Sequence, residues 1–305
     1  MRALMIMGPT ASGKSALALA LAERTPAEIV NADSMQVYRD LRVLTARPTS
    51  AEEAQIPHHL YGHVDAAERY SVGRWLGDAL AVIADILARG KTPILVGGTG
   101  LYFSALTHGL METPPVDVEL RAALEARLQA EGAPALHAAL ASVDPDSAAR
   151  LQPNDAPRIL RAFEVYETTG ASITAFHAET KPALASDAWA GLALVREPRD
   201  ALYAAIDARF DAMLRSGALD EARALAARQL DPNLPAMKAH GAPALMAHLR
   251  GEISLEAAIE IGKRDTRRYA KRQHTWIRNQ MSDWRVSGET DRVALIKIGL
   301  GLLQG

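Results

Sequence analysis

Ala3-Leu4-Met5-Ile6-Met7 leads directly into Gly8-Pro9-Thr10-Ala11-Ser12-Gly13-Lys14-Ser15. The octet fits the phosphate-loop pattern G-x-x-x-x-G-K-[ST], and it lies where that pattern has physical meaning, behind an apolar strand and ahead of an Ala/Leu-rich helix spanning Lys14 to Glu23. Glycines at both ends let the backbone curl until several amide N–H groups point at one anion. The helix behind adds the positive end of its dipole. Lys14 then reaches the outer phosphates and the Ser15 hydroxyl coordinates Mg²⁺. The expected fold class is α/β, a P-loop-type parallel sheet core flanked by helices, and the expected ligand is a di- or triphosphate.

Composition sets the outer limits. The chain has 305 residues, 49% hydrophobic and 23% charged, with a formal charge of −2 and no cysteine. Disulfides and thiolate metal sites are excluded, and a monomeric, cytoplasmic protein is the simplest expectation. Met1-Arg2 runs straight into the first strand, so no signal peptide is expected, and no apolar run is long enough for a membrane partner.

Outward from the loop, a second strand at about Glu28 to Asn31 delivers Asp33 to the crevice beyond the strand ends, where open parallel sheets place their ligands. A carboxylate there can hold Mg²⁺ through water, take a proton from an incoming nucleophile, or cap a helix. Residues 45–70 read as a loop-rich connection. Its three histidines, His58, His59 and His63, suggest packing more than a metal site, because no Cys or HExxH pattern accompanies them. A helix over Ser71 to Arg89 buries Trp75, Leu76, Leu80, Ile83 and Leu87. The strand Thr92–Val96 ends in Gly97-Gly98-Thr99, with no acidic residue of the kind that ATP hydrolysis often uses.

Pro114-Pro115 marks a change of pattern. Helices at 116–131, 134–141, 146–151 and 155–168 follow without a strand, which gives an all-helical insertion domain at 112–187 between core segments 1–111 and 188–305. Arg158 and Arg161 fall three apart on one face of the last of these helices. The core resumes with the strand Gly191–Val195 and a helix from Arg199 to about Leu214. Arg209 lies off that helix's apolar stripe and is expected at the sheet's edge or in solvent. Within 263–278, seven of sixteen residues are Lys or Arg against one Asp. With no Glu partners at i±4, this stretch has the character of a nucleic-acid backbone footprint.

These motifs together resemble the tRNA dimethylallyltransferase (tRNA isopentenyltransferase) family. The resemblance rests on GPTASGKS at 8–15, DSMQVYR at 33–39, PHHL at 57–60, VGGTGLY at 96–102 and QPNDAPRILRAFEVYETTG at 152–170. RFDAML at 209–214, LPAM at 234–237 and KRQHTWIR at 271–278 extend it over nearly the whole chain. It implies transfer of a dimethylallyl group from dimethylallyl diphosphate to the exocyclic amine of the adenine 3′ of the anticodon, with Mg²⁺ as cofactor. The phosphate loop, Gly8 to Ser15, then holds the diphosphate. Asp33 falls on the family's general base, Ser15 on its loop hydroxyl and Arg209 on its diphosphate-binding arginine; Ser15 and Asp33 would hold the metal. The tRNA anticodon stem-loop contacts fall on Asp33, Ser34, Met35, Gln36, Thr99, Arg121, Arg158, Arg161, Lys271, Arg272, Gln273 and Arg278, and the insertion and the basic helix would grip the RNA from two sides. Leu44, Arg47, Ala205, residues 238–243, Arg268 and Tyr269 depart from the family pattern. A P-loop small-molecule or nucleoside kinase, an RNA-binding protein with a vestigial loop, and a prenyltransferase acting on free adenine nucleotides are the alternatives.

Overall fold

Continuous apolar runs make the strands, because a strand covered on both faces has no solvent side to fill with polar residues. The computed structural model describes residues 2–111 and 117–304. Six parallel strands are found among them: β1 (Ala3–Met7), β2 (Ala27–Asn31), β3 (His58–His59), β4 (Thr92–Gly97), β5 (Trp189–Leu194) and β6 (Arg285–Ser287). They run in the order β3-β2-β4-β1-β5-β6. β1 is central, pairing Leu4 with Ile94 on one side and Met5 with Gly191 on the other.

The pleat divides the core. Leu4 and Ile6 join Leu17, Leu21, Ile29 and Ile296 on one face of the sheet. Met5 and Met7 join Val30, Trp75, Ile86 and Phe103 on the other. The first face is covered by α1 (Lys14–Ala22), and the second receives α3 (Val72–Ala88), which follows the short α2 (Ser50–Gln55). Along α3 the fully buried positions are Trp75, Ala79, Ile83 and Ile86, with Leu76, Leu80 and Leu87 only partly covered, so the inward stripe is rotated slightly from the expected one. α4 (Gly100–Thr107) follows β4.

The chain divides into two compact units, residues 1–107 with 184–305, and residues 108–183. The expected boundary at Pro114-Pro115 and the helix start at 116 fall outside the described residues. The smaller unit contains α5 (Val118–Glu131), α6 (Ala133–Val143), α7 (Pro145–Arg150) and α8 (Ala156–Thr169), followed by a 3₁₀ segment, Ile173–Glu179. Leu124, Leu136, Leu140, Ile159 and Phe163 form its own core. The larger unit closes with α9 (Arg199–Arg215), α10 (Ala218–Ala227), α11 (Ala242–Leu249), α12 (Leu255–Gln280) and α13 (Arg292–Gln304).

The 45–70 segment differs from expectation by carrying α2 and β3. Helix α2 starts with a complete capping box, in which Thr49 Oγ1 accepts from the Glu52 amide and the Glu52 carboxylate accepts from the Thr49 amide. The three histidines do not converge. His58 Nδ1 meets the Ile56 carbonyl, His59 Nε2 the Glu28 carboxylate at 2.7 Å, and His63 Nε2 the Tyr70 hydroxyl.

Glu28 holds the outer sheet together. It is 1% exposed within β2, yet Arg89 engages both its oxygens, Lys91 Nζ lies at 2.7 Å, and His59 approaches from β3. Hydrogen bonding from Arg89 is the foremost cause holding the Glu28 carboxyl far below the usual carboxylate range. Glu28→Gln keeps the shape and loses the charge pairing, so urea unfolding at pH 7 is expected to show about 2 kcal/mol lost. A depressed carboxylate stabilises fully above its unfolded value and loses that contribution as pH falls through the folded one. The gap between parent and variant is therefore expected to narrow below about pH 4.5.

Candidate active site

The phosphate loop joins β1 to α1, and its shape comes from two left-handed residues, Ala11 at φ 65° and Gly13 at φ 88°. Alternating hands turn successive amides toward one point, the nest that binds anions. The Ser12 amide donates to the Pro9 carbonyl at 3.1 Å, closing the turn, and a Cβ on Gly8 would collide with Ser12. Lys14 folds back over the loop, its Nζ 3.3 Å from the Pro9 carbonyl. Ser12 Oγ is buried with no partner.

Asp33 is fixed from behind by Asn31, which is fully buried. Asn31 Oδ1 accepts from the Asp33 amide at 2.8 Å, and its Nδ2 donates to the Asp33 carbonyl at 2.9 Å and to the Leu60 carbonyl at 3.0 Å. Trp75 Nε1 donates to the Asn31 carbonyl. Asp33 Oδ1 accepts from the Met35 amide at 2.9 Å, so Oδ2 is the oxygen turned toward Gly98. The ends of β2 and β4 approach so closely that a side chain at Gly97 would run into the Ala32 backbone. Thr99 accepts from the Ser34 amide through Oγ1 at 2.9 Å, and Gln36 Nε2 donates to the Thr45 and Ala46 carbonyls. These two side chains hold the wall of the crevice.

Arg209 does not sit at the sheet's edge or in solvent. Its guanidinium enters the crevice, Nε is buried without a partner, and burial lowers its pKa while Asp33 opposes that shift. Lys14 is brought down to about 8, first by burial and then by Arg209, again against Asp33. Two desolvated cations thus face one carboxylate. Such a site is short of negative charge and is poised for an anionic ligand.

The cleft in front of them is open to solvent and spans about 540 Å³ with that open space included. Asp33, Arg209, Thr10, His240 and Tyr269 line its polar side, and Met35, Leu44, Ile206, Phe210 and Met213 its apolar side. Phe210 is seated between two glycines, since a Cβ at Gly241 or at Gly262 would strike its ring. Leu44 is placed by Glu221 of α10, whose carboxylate accepts from the amides of Arg42, Val43 and Leu44 at 2.7, 2.7 and 2.8 Å. Burial also lowers the pKa of His240, and its ring meets that of Tyr269 at 4.5 Å. Ser15 lines a neighbouring cavity of about 360 Å³ with Arg47, His58 and Tyr61.

The basic helix is less free than its sequence suggests. Arg267 pairs with Asp207 and Lys263 with Asp211, an antiparallel ladder supplied by α9, and Arg264 and Arg268 approach Asp265. Lys271, Arg272 and Arg278 are exposed, with Arg272 over the Tyr269 ring. Gln273, expected among the tRNA contacts, is instead buried, and both its polar atoms are engaged within the protein. In the helical unit Arg121 makes a bidentate pair with the buried Glu164, which also receives Arg161, while Arg158 pairs with Asp155 and stays exposed. Among the described residues no three His, Asp or Glu side chains converge as a metal cage. None of their helices is long and apolar enough to cross a membrane.

Comparison with known proteins agrees with this architecture. A family model described as IPP transferase matches residues 36–280, and one described as Isopentenyl transferase matches residues 1–61. The tRNA dimethylallyltransferase of Nitrobacter hamburgensis is 59% identical over 283 residues, covering 93% of this chain and 89% of its own. That of Rhodopseudomonas palustris is 58% identical with 93% and 90% covered. The crystal structure of a Bacillus halodurans tRNA isopentenylpyrophosphate transferase superposes with a TM-score of 0.69 at 34% identity, covering 99% of this chain and 96% of the other. A eukaryotic dimethylallyltransferase acting on tRNA gives 0.78 at 31% identity, with 93% and 73% covered. With a nest for an anion, a carboxylate and two half-buried cations beside an apolar cleft, and relatives of this similarity over almost its full length, the chain belongs to the tRNA dimethylallyltransferase family.

Proposed function

We infer that the protein transfers a dimethylallyl group from dimethylallyl diphosphate to the exocyclic amine of the adenine 3′ of a tRNA anticodon. The observation that carries the reading is the placement of Arg209 and Asp33 in one cleft whose far wall is apolar, with Lys14 near enough to interact with the charge of both. The amides of Gly13 to Ser15 and the two cations would receive the diphosphate, and the five-carbon chain would lie against Phe210, Met213 and Leu44. An allylic diphosphate ionises by sending the C1–O electron pair to the leaving group, so fixed positive charge aimed at those oxygens lowers the barrier. As the amine nitrogen bonds to C1, it must shed a proton, and Asp33 would take it.

The donor set suits a hard cation. The Ser15 hydroxyl and Asp33 would hold Mg²⁺ together with phosphate oxygens and water, in keeping with its habit of taking few protein ligands. When bound it would neutralise charge on the departing diphosphate. For the RNA, Lys271, Arg272 and Arg278 on α12 are the proposed backbone contacts, with Arg158 contributing from the helical unit. A target base has to leave the anticodon-loop stack to reach a cleft of this depth.

The test is incubation with dimethylallyl diphosphate, Mg²⁺ and unmodified tRNA, followed by mass spectrometry of the RNA. A gain of one five-carbon unit on the adenine next to the anticodon is expected. Product on free AMP and none on tRNA would assign a nucleotide prenyltransferase. Transfer of labelled γ-phosphate from ATP would assign a kinase.

A further inference from the structure

Thr10 lies in the phosphate loop after β1 and Gly98 in the turn after β4, beyond the ends of two strands that pair side by side. Gln273, from the second half of α12, spans them. Its Oε1 accepts from the Thr10 amide at 3.0 Å, and its Nε2 donates to the Gly98 carbonyl at 2.9 Å. The residue is 3% exposed. A side chain at position 98 would run into Gln273 Nε2, and one at position 100 into the Trp276 ring, so two glycines admit the inward face of the helix. The outward face of the same stretch carries the exposed cations Lys271, Arg272 and Arg278. The amide is buried, with its oxygen and one of its two N–H groups engaged inside the protein, so it is no exposed contact for an RNA phosphate.

We propose that Gln273 is a positioning residue for the anion site, tying the phosphate loop to the end of β4 and to the basic helix. Its Oε1 draws the Thr10 amide away from the nest, which leaves the amides at the start of α1 to face the ligand. Its Nε2 fixes the turn that lies beside Asp33 Oδ2. Both bonds are needed, and the primary amide of Gln273 accepts at one end and donates at the other. A carboxylate in its place would keep the Thr10 bond, lose the Gly98 bond and set a negative charge beside the diphosphate. Loading of the outer face of α12 by RNA and the aperture of the loop are then linked through one side chain. The inference rests on the loop being the diphosphate site.

Parent, Gln273→Glu and Gln273→Met proteins are to be titrated calorimetrically with inorganic pyrophosphate in the presence of Mg²⁺. Their affinity for unmodified tRNA is followed by fluorescence anisotropy and their folding by circular dichroism. Gln273→Glu is close to isosteric and keeps one bond, so it is the variant that preserves the packing of α12. Its affinity for pyrophosphate is expected to fall about tenfold or more, with tRNA affinity within about twofold of parent. Gln273→Met is expected to show a smaller loss in the same direction. Variants that weaken tRNA binding and spare pyrophosphate would restore Gln273 as an RNA contact and overturn the inference. Unchanged affinities for both ligands, with only a lower melting temperature, would overturn it as well. Parent protein that binds no pyrophosphate would remove the diphosphate reading, and this inference with it.

Discussion

Asp33→Asn is expected to lower kcat for tRNA prenylation about 10³-fold, within the range that removal of a general base produces. The substitution is chosen for what it preserves. Asn can still accept the Met35 amide through its side-chain oxygen, as Asp33 Oδ1 does at 2.9 Å, and Asn31 still holds the backbone on either side. Affinity for metal-free pyrophosphate should move the other way. Asp33 is the one anion that opposes the downward shifts of Lys14 and Arg209. Its removal leaves two half-buried cations without a nearby anion, and an incoming diphosphate gains by satisfying them. Tighter binding of pyrophosphate in the absence of Mg²⁺, with collapsed turnover, separates a base from a residue that merely shapes the pocket, which would weaken both. Single-turnover rates with labelled donor and pre-bound tRNA give the measurement, and a rate within tenfold of parent would remove Asp33 from the chemistry.

The residues legible in the sequence are those whose role is local. The loop from Gly8 to Ser15 was readable because its spacing ties glycine, lysine and hydroxyl to one turn between a strand and a helix. Asp33 was readable as a carboxylate just beyond a strand end. The sheet was readable because Ala3–Met7, Thr92–Val96 and Gly191–Leu194 are apolar without alternation, the mark of strands covered on both faces. Helix α2 carried its own signal as well, Thr49 with Glu52 three residues on, but its six residues bury nothing and leave no periodic stripe to attract attention.

What escaped is long-range. Glu221 lies 177 residues from Leu44, whose amide it receives, and Gln273 lies 263 residues from Thr10. Neither side chain differs in type from a solvated Glu or Gln, and only the packed fold brings a naked amide to it. The basic helix shows the same limit. Lys263 and Arg267 have no acidic partner at i±4 on their own helix, whereas Asp211 and Asp207 reach them from α9 at matching i,i+4 spacing. The direction Arg209 takes is likewise set by long-range packing. Lying beside the apolar stripe of α9 would expose it in an isolated helix, but Phe210, held between Gly241 and Gly262, brings the neighbouring turn into the cleft.

Lys14→Met is expected to make the protein harder to unfold and nearly unable to react. Burial and the nearby Arg209 bring the Lys14 ammonium from 10.5 down to about 8, so below pH 8 the free protein keeps a charge its surroundings disfavour. The folded state therefore binds fewer protons than the unfolded one between about pH 8 and 10.5, and this contribution to stability rises with pH across that window. A methionine of similar length removes the cost at pH 7, with an expected rise in melting temperature of roughly 2–4 °C per kcal/mol regained. The gain over parent should shrink as pH passes 8. Reactivity carries the opposite sign. The leaving diphosphate gains charge as C1–O breaks, and loss of one fixed donor there is expected to lower kcat/KM for the prenyl donor roughly 10³-fold. In parent protein the same lysine predicts weaker pyrophosphate binding above about pH 8, where the free enzyme must first take up a proton. Lys14→Arg, charged throughout that range, should flatten the decline even if its fork fits the loop less well. A parent profile level from pH 7 to 10, or a methionine variant that melts lower while binding pyrophosphate as before, would show that the lysine does not face the anion.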